Sequence, residues 1–85
     1  MNAVSRRSNA FVKALAAVLR TMRKERKLSQ LELANRAGIS HQYVGYIERE
    51  LRCPTVDILA RLAIALETEA SEICMLAEKA AARQK

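Results

Sequence analysis

The stretch SQLELANRAGISHQYVGYIE, residues 29–48, forces the chain around a tight corner. Two amphipathic segments meet at Gly38 with no proline between them, so only a few residues are available to turn the backbone. Ser29-Gln30-Leu31-Glu32 has the form of a capping box, in which hydroxyl and carboxylate each accept the other residue's free backbone N–H. A helix therefore opens at Ser29. Leu31, Leu33, Ala34 and Ala37 give it an apolar side, and Gly38, able to take a left-handed conformation, ends it. Ile39 and Ser40 lead into a further helix from His41 to Arg49. On a wheel of about 100° per residue, Val44, Ile47 and Leu51 share one face, and Gln42, Gly45, Tyr46 and Arg49 share the other. The first face suits a core. The second is polar, holds a glycine with no packing role and ends in a guanidinium, as a surface for an outside partner would.

The remaining chain is also helical in pattern. Phe11, Val12, Leu15, Val18, Leu19 and Met22 recur at helical spacing between Asn9 and Arg26, with Ser8 placed to cap them and residues 1–8 as a flexible lead. The opposite side of that helix carries Lys13, Arg20, Lys24 and Lys27. Pro54 stops what precedes it, and Thr55 caps a fourth helix with Val56, Leu59, Leu62, Ala63 and Leu66 on its apolar side. Thr68 is placed to cap a fifth, from Glu69 to Ala82, with Ile73, Leu76, Ala77 and Ala80 as its stripe and residues 83–85 as a frayed tail. No segment alternates with period two, so no sheet is expected. The expectation is an all-α fold of five helices, with residues 9–82 as one domain; 85 residues leave no room for a second.

Charge narrows the function. The net charge is +6, but residues 1–36 hold nine Lys or Arg against Glu25 and Glu32, while the rest is close to balance. Polyanion binding and simple solubility both account for this. A basic helix lying on anionic lipid is a third option, but it wants bulky Trp, Phe or Leu, and this apolar face is Leu, Val and Ala. Cys53 and Cys74 form no CxxC pair and His41 is the single histidine, so no zinc site, cofactor or structural disulfide is expected. Cys74, on a helical face, packs as a small hydrophobe. No apolar run reaches the roughly 18 residues of a membrane span, and residues 1–10 lack the form of a secretory signal. A soluble cytoplasmic protein is the expectation.

Residues 19–66, LRTMRKERKLSQLELANRAGISHQYVGYIERELRCPTVDILARLAIAL, resemble the phage repressor and Cro-type, or Xre-like, helix–turn–helix family. The motifs that carry the likeness are LSQ, LA, AGIS, the V..IE ending of the third helix, the RxxP turn and the helix after it. The short chain and fifth helix are most like restriction–modification controller proteins. The resemblance implies a compact lambda-repressor-like domain with its third helix in the major groove of DNA. It implies that Gln30 holds a phosphate, that Ser40, His41, Gln42, Gly45 and Tyr46 face the groove, and that Arg49 and Arg52 grip the backbone. Tyr43 flanks that set and can reach a phosphate. Gln42 can pair with adenine. The plainer alternatives remain: a solvated Gln42 and His41, and tyrosines packed on the domain's own surface. Arg23 and Glu48 match a structural ion pair between first and third helices. Three departures stand out: Gly45 inside a short helix, and Glu50 and Glu67 where relatives often have a turn glycine.

One recognition helix reads too few base pairs to find a genomic site, and relatives answer with a two-fold dimer. Ile58, Ile64, Ile73, Met75 and Leu76 are surplus to a small core and are the expected homodimer interface. The expected function is a sequence-specific transcriptional regulator that acts by occupying an operator in double-stranded DNA, as repressor, activator or both, with RNA polymerase a possible contact. An antitoxin that also binds its own operator is the alternative, with only residues 70–85 to hold a toxin. One histidine, no phosphate loop and no carboxylate pair in a cleft argue against an enzyme.

Overall fold

The computed structural model describes residues 2–83. Five helices follow in order: α1 (Ala3–Glu25), α2 (Gln30–Ala37), α3 (His41–Glu48), α4 (Val56–Ala65) and α5 (Ala70–Ala82), with no strand among the described residues. At about 1.5 Å per residue α1 is roughly 34 Å long, and it sets the long axis of a 38 × 21 × 20 Å body. It packs along α5 over its length and touches α3 lower down, while α2 packs on both α3 and α4. Leu19, Leu33, Val44, Leu62, Leu66 and Ile73 are the large side chains sealed at the centre. Ala34, fully buried, lets α2 and α3 approach.

Helix starts follow side-chain chemistry. Ser29 Oγ accepts the Glu32 N–H at 3.0 Å and the Glu32 carboxylate accepts the Ser29 N–H at 2.9 Å, closing the capping box. Ser40 caps α3 through the Tyr43 N–H at 3.1 Å, and Thr55 caps α4 through the Ile58 N–H at 3.1 Å. Two starts differ from the sequence reading. α1 opens at Ala3, capped by Asn2 Oδ1 on the Ser5 N–H at 2.8 Å, so residues 3–8 are helix rather than a flexible lead and Ser8 caps nothing. These first turns face the end of α5, where Val4, Phe11, Ala81 and Ala82 line a common groove; Val4 is the one large apolar residue among residues 3–8, too few to mark a stripe. Glu69, not Thr68, precedes α5, without a side-chain cap. The Thr68 N–H instead donates to the Ala63 carbonyl at 2.9 Å and closes the end of α4. Of the tail expected to fray, residues 84–85 lie outside the described residues.

Helix ends share one geometry. After α1, α2, α3 and α4 a left-handed residue reverses the chain, and the following N–H reaches back to a carbonyl five residues earlier. The left-handed residues are Lys27, Gly38, Glu50 and Glu67, with φ of 57°, 71°, 64° and 58°. Only one is glycine. Leu51 lies beyond such a turn, where the wheel no longer applies, and it is exposed instead of joining Val44 and Ile47. Val56, at the first position of α4, is likewise exposed, and so is Leu31 on α2.

At Gly38 a Cβ would also meet Arg61 Nη1 at 3.1 Å. Gly38→Ala is therefore expected to destabilise the fold by about 1–2 kcal/mol. Glu67→Gly, which relieves a left-handed side chain, is expected to stabilise it by about 0.5–1 kcal/mol after the entropy of glycine is counted. Urea unfolding of the two variants checks both signs.

Candidate nucleic-acid interface

The polar stripe of α3 is held in place from behind by α1 and α2. Val44 and Ile47 anchor it in the core. At its far end Glu48 meets Arg23 of α1 in a two-pronged ion pair, Nε to Oε2 at 2.6 Å and Nη2 to Oε1 at 3.0 Å. Gln30 of α2 adds a hydrogen bond from Nε2 to Glu48 Oε1 at 3.1 Å, and Arg23 Nη1 donates to the Leu28 carbonyl at 2.8 Å. Little of either charged side chain reaches solvent, 11% for Arg23 and 5% for Glu48. Burial raises the pKa of the Glu48 carboxyl, but the hydrogen bonds from Arg23 and Gln30, with the charges of Arg23 and Arg20, outweigh it and hold the group below its ordinary value. The bond to Glu48 in turn makes Arg23 a still weaker acid.

The residues singled out by sequence divide into three groups. His41, Gln42 and Arg52 are exposed, and no hydrogen bond or ion pair among the described residues engages their side chains. Tyr46 and Arg49 form a stacked pair, the guanidinium 5.6 Å from the ring centroid. The rest are already engaged. Ser40 Oγ caps α3, leaving its own hydrogen to donate. Gln30 is tied through its amide to Glu48. The Tyr43 ring packs against the core. Gly45, expected on the open stripe, is buried: the place of a Cβ lies 3.7 Å from Gln30 Oε1 and 3.8 Å from Arg49 Nη2. These are ordinary contact distances, so Gln30 and Arg49 cover this part of the helix.

The apolar set divides too. Ile73 is 0% exposed and belongs to the chain's own core, so its side chain is not open to an interface; its side of α5 faces the other helices. Leu76 and Ile58 are partly covered by that core. Ile64 at 75% and Met75 at 42% exposure stay open, and Val56 joins them at 86%.

Two arginines escaped the sequence reading. Arg26 Nε donates to the Leu66 carbonyl at 2.6 Å, tying the end of α1 to the end of α4. Arg61, paired with Asp57, lies over the Gly38 corner with Nη1 3.5 Å from the Ala37 carbonyl. The four-residue spacing of Asp57 and Arg61 was a readable sign of the pair, though not of the corner it covers.

A profile for the helix-turn-helix family matches residues 19–73. An uncharacterized HTH-type transcriptional regulator of Mycobacterium tuberculosis is 38% identical over 52 residues, 61% of this chain and 37% of that protein. The immunity repressor protein of Bacillus phage phi105 is 40% identical over 55 residues, covering 65% and 38%. The chain thus spans little more than a third of the length of these relatives. Among solved structures, the restriction-modification controller protein C.AhdI from Aeromonas hydrophila superposes with a TM-score of 0.70 at 36% identity, over 74% of this chain and 94% of that one.

The clasp yields a pH prediction. Because the folded-state pKa of Glu48 lies below its unfolded value near 4.5, the ionised pair contributes its full stability above that value and loses it as pH falls through the lower folded pKa. Glu48→Gln should be the less stable protein at neutral pH, and the wild-type and variant curves should converge as pH falls through the lowered folded-state pKa of Glu48. Removing one partner outright, as in Glu48→Ala, is expected to cost about 3–5 kcal/mol. Urea unfolding across that range checks both, and parallel curves would assign the acid sensitivity to other groups.

Proposed function

The chain belongs to the helix-turn-helix family, and from that premise we propose that it is a sequence-specific DNA-binding transcriptional regulator that works in the cytoplasm as a homodimer. The observation that carries this reading is the first turn of α3, where His41 and Gln42 stand exposed and unengaged on a helix braced from behind by Val44, Ile47 and the Arg23–Glu48 clasp. Gln42 has the donor and acceptor needed to pair with adenine N6 and N7 in the major groove. His41 and the Tyr46–Arg49 pair stand beside it. Arg52 and the Ser40 hydroxyl hold phosphates, together with the N-terminus of α2 at Gln30, where backbone N–H groups favour an anion. Gly45 supports this surface without touching DNA. No separate ligand domain is needed on this reading, since protein concentration and operator occupancy set the response.

Dimerisation rests on the open apolar residues of α4 and α5. Ile64, Met75 and Val56 are the exposed members, with Ile58 and Leu76 beside them. An exposed set of this kind is costly in water and is relieved by a second copy. Two recognition helices about one DNA turn apart, ~34 Å, would then read symmetric half-sites.

Selection from random duplex DNA is the direct test, and the expected product is a pair of inverted half-sites. Enrichment of no sequence would count against the proposal. On the selected site, Gln42→Ala should lose about 1–3 kcal/mol of discrimination at one position, whereas Arg52→Ala should weaken all duplexes alike and lower the salt slope by about 0.9. Ile64→Asp should convert a sedimenting dimer to a monomer that retains its helical content; a wild-type monomer well above micromolar concentration would refute the interface.

A further inference from the structure

Lys13, Arg20 and Lys24 form a line along α1. At about 100° per residue they fall within an arc of roughly 40°, and they span about 16 Å of the helix. Arg6 lies on the same line one step further towards the N-terminus. All are exposed, and the arc holds no acid, since no other residue of α1 falls within it. The one acid of α1, Glu25, pairs with Arg26 at 3.9 Å, and no ion pair or hydrogen bond among the described residues engages the side chains of Lys13, Arg20 or Lys24. Three like charges held in a row, none of them in an ion pair, repel one another, an arrangement that a polyanion relieves.

The line starts beside the recognition helix. Arg20 is near enough to Glu48 of α3 for its charge to lower the carboxyl's pKa, and Arg23, on the adjacent face of α1, is bonded to Glu48 directly. From there the row runs out along α1 towards its N-terminal turns, and Lys13 precedes the family-matched residues 19–73. We propose that Lys13, Arg20 and Lys24 form a ridge that follows the phosphates of duplex DNA flanking the bases read by α3. This rests on the proposed DNA-binding function and extends its footprint. Duplex DNA presents one charge per about 1.7 Å, so a 16 Å row meets phosphates along its whole length without needing any sequence. Anionic lipid fits less well. The opposite face of α1, with Ala14, Leu15, Leu19 and Met22, is buried in the core, so the helix has no apolar side to insert.

The test compares the full chain with Lys13→Gln/Arg20→Gln/Lys24→Gln, and with the charge-keeping Lys13→Arg/Arg20→Lys/Lys24→Arg. Equal melting temperatures and circular dichroism establish that the fold is kept. Each protein is titrated with the selected site, bare and with ten flanking base pairs on each side. The expected result is that the wild type binds the flanked duplex more tightly than the bare one. The glutamine variant should lose that gain, and its salt slope should be shallower by between about two and three. Between about 50 and 200 mM salt that is roughly a 40-fold smaller loss of affinity. Its preference for the selected site over a scrambled one should not change, and the charge-keeping variant should match the wild type. An unchanged slope and flank gain in the glutamine variant would overturn the ridge. So would a variant that binds DNA as the wild type does yet releases phosphatidylserine vesicles which the wild type holds. Wild type that binds no duplex at low salt would instead overturn the DNA-binding function itself, and the ridge with it.

Discussion

Arg23, Glu48 and Gln30 come from three different helices and meet within one hydrogen-bonded cluster. Taking a carboxylate and a guanidinium out of water is expensive, and a single contact would not offset it. Here the guanidinium spans both carboxylate oxygens, a third arm holds the Leu28 carbonyl and the Gln30 amide fills a further acceptor site. No buried side-chain polar atom among the described residues lacks a partner. Such a cluster tolerates one arrangement of α1, α2 and α3, because displacing any one of them by an ångström leaves a charge half-satisfied. Apolar packing alone is less exacting, since Leu and Ala accept small shifts. The orientation of α3 is thus set by polar geometry as much as by the core.

Where the helices end matters as much as what holds them together. Each of α1, α2, α3 and α4 closes with a left-handed residue, and three of the four are Lys or Glu. These ends are tolerated because each reversal satisfies carbonyls that would otherwise be orphaned at a helix terminus. The left-handed residues reverse the chain after these helices with connections of three to seven residues, and this lets a short chain enclose a core. Arg26 on the Leu66 carbonyl and Arg61 over the Gly38 corner reinforce two of these ends from a distance.

Much of this was legible in the sequence. Five helices without strands, the capping box at Ser29 and the glycine stop at Gly38 follow from periodicity and from the few residue types that suit helix termini. The face of α3 turned to the core was equally clear from Val44 and Ile47. Other features were hidden for identifiable reasons. The first turns of α1 carry Val4 alone as a large apolar residue among serines and arginines, which marks no stripe. Ile73 was indistinguishable from Ile64 by type, since both are isoleucines on amphipathic helices and only the packing of α5 against α1 and α4 separates them. Thr68 had the chemistry of a cap, but α5 opens at Ala70 with Glu69 in the cap position, one residue beyond the reach of that hydroxyl. Gly45 was visible as an anomaly, whereas the closure of Gln30 and Arg49 over it depends on a contact between helices that one helix's wheel cannot show.

The stacking of Arg49 on Tyr46 bears on how fast and how selectively this surface can act. A free arginine has several rotatable bonds to freeze when it meets an anion, and a shell of water to shed. A guanidinium resting on an aromatic face has already given up part of both, while its edge keeps all its donors. Encounter then demands less reorganisation, so less of the attraction is spent on ordering and more remains to tell one surface from another.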